Sequence, residues 1–81
     1  MAKFKTGDTV YHTERHDFWE VVNPDPKFIS DIPFNEKAIV GRKANIIRPT
    51  TYDNVYLRLN CLTLVSPDTP QNRLAIQLKY S

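Results

Sequence analysis

Two histidines stand four residues apart in His12-Thr13-Glu14-Arg15-His16. On a helix that spacing brings both imidazoles to one face, where they can share a metal ion. The zinc-protease pattern needs a glutamate directly after the first histidine, and Thr13 stands there instead. Asp17 or Cys61 would have to complete a tetrahedral set. The segment reads as a strand end followed by a polar loop, where helical spacing loses its meaning. The expectation is two solvated histidines and no metal. Cys61 falls on the apolar side of an alternating stretch with Leu57 and Leu59. A thiol placed so acts as a small hydrophobe, whereas a nucleophilic thiol needs exposure and a cationic neighbour. No Ser/His/Asp set has a local signature, and two glycines are too few for a phosphate-cradling loop. No catalytic residue and no cofactor is expected.

Binding chemistry is better represented. Arg42, Lys43 and Arg48 lie in one extended stretch, Arg58 lies on the facing one, and Tyr52 and Tyr56 are close by. Cations interleaved with aromatics can hold a phosphate backbone and stack on bases. The net charge of +2 favours an ordinary solvated strand face, since nucleic-acid modules carry a clear excess. A second group is aromatic: Tyr11, Phe18 and Trp19 around the first loop, with Phe28 and Phe34 in a proline-rich one. Exposed aromatics are typical anchors for a protein partner, although some of these must build the core. Phe18 and Trp19 are adjacent, so on a strand they point to opposite faces. One is expected in the core and the other exposed or under the proline-rich loop.

The elements that would position these groups are short. Thr9–His12 is β-branched and aromatic, as strands are. Residues 13–17 are polar and form a loop. Phe18–Val22 is the next strand, stopped at Asn23-Pro24-Asp25-Pro26 because proline has no N–H for a ladder. Residues 23–37 then form a long loop whose Phe28, Ile29, Ile32 and Phe34 fold it back over one end of the core. Residues 38–48 are extended, with Gly41 marking a bulge or bend. Pro49–Asn54 is a turn, and Val55–Cys61 alternates apolar and polar with period two. The two stretches are expected to pair as an antiparallel hairpin. Leu62–Val65 is a further short strand, broken at Ser66-Pro67. Residues 71–81 have two readings. Thr69-Pro70 is a good helix start, followed by helix formers. Leu74, Ile76, Leu78 and Tyr80 alternate as in a strand, and that pattern tips the expectation towards strand.

The run Phe4-Lys5-Thr6-Gly7-Asp8-Thr9-Val10-Tyr11-His12 resembles the opening of SH3-like barrels, where Gly-Asp-x-Val enters the first strand. Leu62-Thr63-Leu64-Val65 resembles their closing strand. The likeness spans residues 4–66 and is most specific at Gly7, Asp8, Thr9 and Val10. It implies an all-β, SH3-like barrel of about five short antiparallel strands forming a single domain, with residues 67–81 as an extension. The chain departs from that pattern in lacking the usual glycines of the middle strands. The resemblance transfers no functional residue, because small barrels serve protein, peptide and nucleic-acid binding alike.

Composition narrows the function classes. The 81 residues are 41% hydrophobic and 25% charged, enough apolar material to fold and too little to line a large pocket. An enzyme is therefore not expected. Six prolines against two glycines read as punctuation between strands. No apolar run is long enough to span a membrane, and the N-terminal residues carry no apolar signal core. A single cysteine makes no intrachain disulfide, which points to the cytoplasm. Three readings follow. The first is a non-enzymatic protein-interaction module, such as a small regulator, adaptor or inhibitor. The second is a nucleic-acid-binding barrel. The third is an assembly subunit that pairs through open strand edges.

Overall fold

The computed structural model describes residues 3–30, 32 and 36–81. Phe34 lies outside the described residues. The strands are β1 (Thr9–His12), β2 (Asp17–Lys27), β3 (Ala38–Lys43), β4 (Val55–Arg58) and β5 (Leu62–Val65). All neighbours pair antiparallel in one sheet ordered β4-β3-β2-β1-β5. The chain is thus mainly β. Single 3-10 turns cover Thr51–Asp53 and Leu59–Cys61, and one helix, α1 (Pro70–Lys79), follows the sheet. No helix is long and apolar enough to cross a membrane among the described residues.

Register decides which side chains are inside. Val10 faces Trp19, Val21 faces Gly41 and Ile39 faces Leu57 across the ladders. Strand alternation therefore puts all of these on one side of the sheet. With Phe4 and Leu62 they form the core, each nearly inaccessible to water. Burying each large aliphatic group contributes about 1.5–3 kcal/mol. The lead-in is held by Gly7, whose φ of +92° suits glycine and whose N–H donates to Val21 O at 2.9 Å. Gly41 is needed for close approach: a Cβ there would meet Leu57 Cδ1 at 2.6 Å and the Glu20 carbonyl oxygen at 3.0 Å.

β3 stops at Lys43, so the stretch expected to be extended to residue 48 is strand only in its first half. Three further expected boundaries are corrected. First, β2 does not stop at Asn23 but runs on to Lys27. The four-residue step from Asn23 to Lys27 lies opposite the two-residue step from Val40 to Ala38. Pro24 and Pro26 sit within that interruption, where a missing N–H costs no ladder bond. The irregularity expected at Gly41 also lies on this partner strand, between Val21 and Asn23. Second, β4 ends at Arg58, and Leu59–Cys61 turns the chain so that β5 can reach β1. Leu59 N–H donates to Lys37 O and Thr13 N–H to Cys61 O, both at 2.9 Å. Third, the C-terminal segment is a helix and not a strand. Thr69 caps it by accepting from Asn72 N–H at 3.2 Å, with Pro70 in the first turn. A helix closes its own backbone bonds, so these local signals outweigh an alternation that would need a partner strand.

Helix α1 lies over the outer face of β1 and β5. The Tyr80 ring stacks on Tyr11 with centroids 6.0 Å apart. The Arg73 guanidinium sits 5.1 Å from the Phe18 ring centroid. Asp68 holds that guanidinium at 2.6 and 2.8 Å and itself accepts from Thr9 Oγ1 at 3.0 Å. Phe18 thus lies under the Arg73 side chain of α1. Leu74 and Leu78 face away from the sheet and are 57% and 68% exposed.

Candidate interaction surface

The aromatic residues divide by burial. Tyr11 and Trp19 are 1% and 3% exposed, so neither offers docking surface. Trp19 belongs to the core, its indole N–H donating to Asp17 Oδ1. Arg15 and Lys43 flank its ring at 5.4 and 5.2 Å. Phe18 is half-buried against Tyr11 in an edge-on contact. Of the expected group, Phe28 alone among the described residues is largely free, with the Lys37 ammonium 5.0 Å from its ring.

The cations are mostly neutralised by neighbours. Arg42 pairs with Glu20 at 3.4 Å across β2 and β3, and Lys43 with Asp17 at 2.9 Å. Arg58 is held by both Glu36 oxygens at 2.9 Å and lies 3.5 Å from Glu14. The Glu36 bond and charge hold the Arg58 guanidinium above its ordinary pKa. Such solvent-accessible pairs add little to stability, but they cancel much of the positive field this face would otherwise present. Arg48 and Tyr52 are exposed on the β3–β4 connection, and Tyr56 stands on β4 opposite Val40.

That connection, residues 44–54, carries the two most exposed large apolar side chains among the described residues. Ile47 is 93% and Tyr52 95% exposed. The segment is nevertheless ordered by its own chemistry. Thr50 N–H donates to Asp53 Oδ2 at 2.8 Å, and Tyr52 N–H donates to Thr50 Oγ1 at 3.3 Å. This capping box closes the 3-10 turn at Thr51–Asp53. Ala44 N–H ties the near end to Phe18 O at 3.3 Å. Sequence reasoning counted Ile47 as a strand residue. The signal that would have released it was Thr50-Thr51-Tyr52-Asp53, a hydroxyl three residues ahead of a carboxylate.

The expected pair of solvated histidines is corrected: His12 ends β1 as a buried group, and His16 closes the β1–β2 turn of residues 13–16 on the exposed side. His12 is 3% exposed and its Nδ1 accepts from Arg15 N–H at 3.1 Å. Burial, helped by the Arg15 charge, pushes this imidazole below its ordinary pKa. His16 closes the turn, its N–H donating to His12 O at 2.8 Å. Its φ of +58° is left-handed, a conformation that costs a non-glycine residue on the order of 1 kcal/mol. Its ring Nδ1 lies 3.2 Å from Tyr11 Oη. Among the described residues no group of three or more His, Cys, Asp or Glu is arranged to hold a metal ion. Cys61 is buried, and burial, with the nearby Glu14 carboxylate, pushes its thiol up.

Two concave regions flank this turn. One, of about 230 Å³, lies between the turn, the end of β3 and α1 and is lined by His16, Asp17, Phe18, Lys43, Asn45 and Arg73. The other, of about 460 Å³, runs beside β4 between Arg15, Arg58, Tyr56, Ile29 and Ile32. No protein family, no curated protein and no solved structure matches the chain.

Proposed function

We propose that the chain is a non-enzymatic protein-interaction module, a small regulator, adaptor or inhibitor that docks on a larger protein through its β3–β4 connection. The observation that carries this is the near-complete exposure of Ile47 and Tyr52 on one connection, with Tyr52 held in a turn that a capping box closes. Large apolar groups held in water gain about 25 cal/mol per Å² when a partner covers them. A segment that is already ordered loses less entropy on docking. Tyr52 and the neighbouring Arg48 are residue types that dominate binding energy at interfaces.

The sheet order and the 3-10 turn ahead of β5 support an SH3-like reading of the fold. The free, buried Cys61 supports a reducing, cytoplasmic setting. The nucleic-acid reading has less support, because Arg42, Lys43 and Arg58 each already have a carboxylate. The assembly reading would use the outer edges of β4 and β5.

The test replaces Tyr52 with a photoreactive phenylalanine analogue and cross-links in the source lysate. The expected result is one discrete protein adduct, lost on Ile47→Asp while circular dichroism is unchanged. Adducts only to nucleic acid or to a second copy of the chain would replace this reading with one of the other two. An adduct that survives Ile47→Asp would also overturn it.

A further inference from the structure

Three nitrogen-bearing side chains from three separate elements meet at the cleft beside α1: His16 from the β1–β2 turn, Lys43 from β3 and Arg73 from the helix. Asn45 and Gln77 add two amides, and Phe18 and Ala44 supply an apolar wall. Lys43 and Arg73 are each held by a carboxylate that leaves part of their donor capacity free. The Lys43 ammonium bonds Asp17 Oδ2 at 2.9 Å and has further N–H groups to give. Arg73 bonds Asp68 through Nε and Nη2, which leaves Nη1 outside that pair. Tyr11 Oη engages Nδ1 of His16, so the ring is oriented and its other nitrogen is unengaged. Asp17 is the one carboxylate among the lining residues, and its oxygens accept from Trp19 Nε1 and Lys43 Nζ. Asp17 and Asp68 balance the charges of Lys43 and Arg73, and the N–H groups those pairs leave over, with the Asn45 and Gln77 amides, are the donors that can hold a small oxyanion.

The strained backbone points the same way. Glycine or asparagine would occupy the left-handed position of this turn with less strain. A histidine stands there instead, with its ring at the cleft. An outlier of this kind is evidence for a use of the side chain. We propose that the cleft binds a small molecule with an oxyanion head, a carboxylate or phosphoryl group held by His16, Lys43 and Arg73, with its apolar part against Phe18 and Ala44. The inference does not depend on the docking role of the β3–β4 connection, which lies on other side chains.

The test is an amide-resolved NMR titration of the isotope-labelled full chain at fixed pH. Inorganic phosphate and acetate are titrated separately, against sodium chloride at matched ionic strength. Saturable shifts confined to residues 16–18, 43–45 and 73–77 are expected with at least one anion. The anion that saturates identifies the head group as phosphoryl or carboxylate. His16→Asn, which tolerates the left-handed turn, and Lys43→Gln are each expected to weaken binding at least tenfold with the fold retained. Shifts that grow without saturation, spread over other surface cations, or match the chloride control would overturn the proposal. So would saturable binding that neither variant weakens.

Discussion

Two of the hairpin connections, β1–β2 and β3–β4, perform the same topological task with opposite use of their side chains. The β1–β2 turn spans residues 13–16 and turns its chemistry inward. His12 accepts from the Arg15 backbone, His16 is tied to Tyr11, and Arg15 lies against the core Trp19. The β3–β4 connection spans residues 44–54 and bonds mainly to itself. Its polar groups order the segment, and its apolar groups, Ile47 and Tyr52, are left in water. A two-residue loop is enough to join antiparallel neighbours. A connection that is much longer, yet pinned, has side chains to spare for something other than the fold.

The sharpest way to break this comparison is within one hairpin. Leu57→Ala, at the buried base of β4, is expected to cost about 2–5 kcal/mol in urea unfolding. Thr50→Ala removes the hydroxyl that orders the connection. It is expected to cost about 1 kcal/mol and to speed amide exchange at Tyr52. Unchanged exchange there would show that the capping box does not order the segment.

The inward-facing turn makes a prediction about pH. The folded-state pKa of His12 is lowered, so the unfolded chain takes up the proton first. Stability from this group is complete above the unfolded value of about 6.5 and is lost as pH falls from there through the folded value. The Asp68 carboxyl, held down by Arg73, acts later, below the ordinary Asp range near 3.8. Urea midpoints should therefore fall between pH 7.5 and 5.5. That slope should shrink in His12→Gln, and an unchanged slope would assign it to other groups.

The smallest effects are expected where the connections meet solvent. Ile47→Asp and His16→Asn should each change stability by less than about 0.5 kcal/mol. A loss well above 1 kcal/mol at Ile47 would mean that its side chain packs in the fold. The same loss at His16 would make its bond to Tyr11 structural, and the left-handed histidine would need no ligand to explain it.

Much of the sheet was legible because it is locally encoded. β1 was expected with the bounds it has, and β3 and β4 pair as the hairpin that the alternation at Val55, Leu57 and Leu59 implied. Cys61 is buried as expected, but in the 3-10 turn after β4 and not on the strand face that the alternation implied. The path of β2 through Pro24 and Pro26 was not legible, because what tolerates a proline is a gap in the partner's ladder, a property of the pair. Of the candidate site, the cations were visible as residue types. Their neutralisation was not, because Glu20, Asp17 and Glu36 meet Arg42, Lys43 and Arg58 across strands or over long sequence separations.

The sequence by itself determined the period-two strands, the glycine entry at Gly7, and the Thr69-Pro70 start that α1 obeys, since each rests on dihedral preference or hydrogen bonds within a few residues. Only the tertiary structure decided which aromatics were free. Tyr11 reads as a candidate docking aromatic until α1 lays Tyr80 over it, and Ile47 reads as part of an extended strand until the connection carries it into solvent. Burial depends on what else arrives at the same place, and that is fixed by register and by helix docking, not by the residue's own neighbours in the chain.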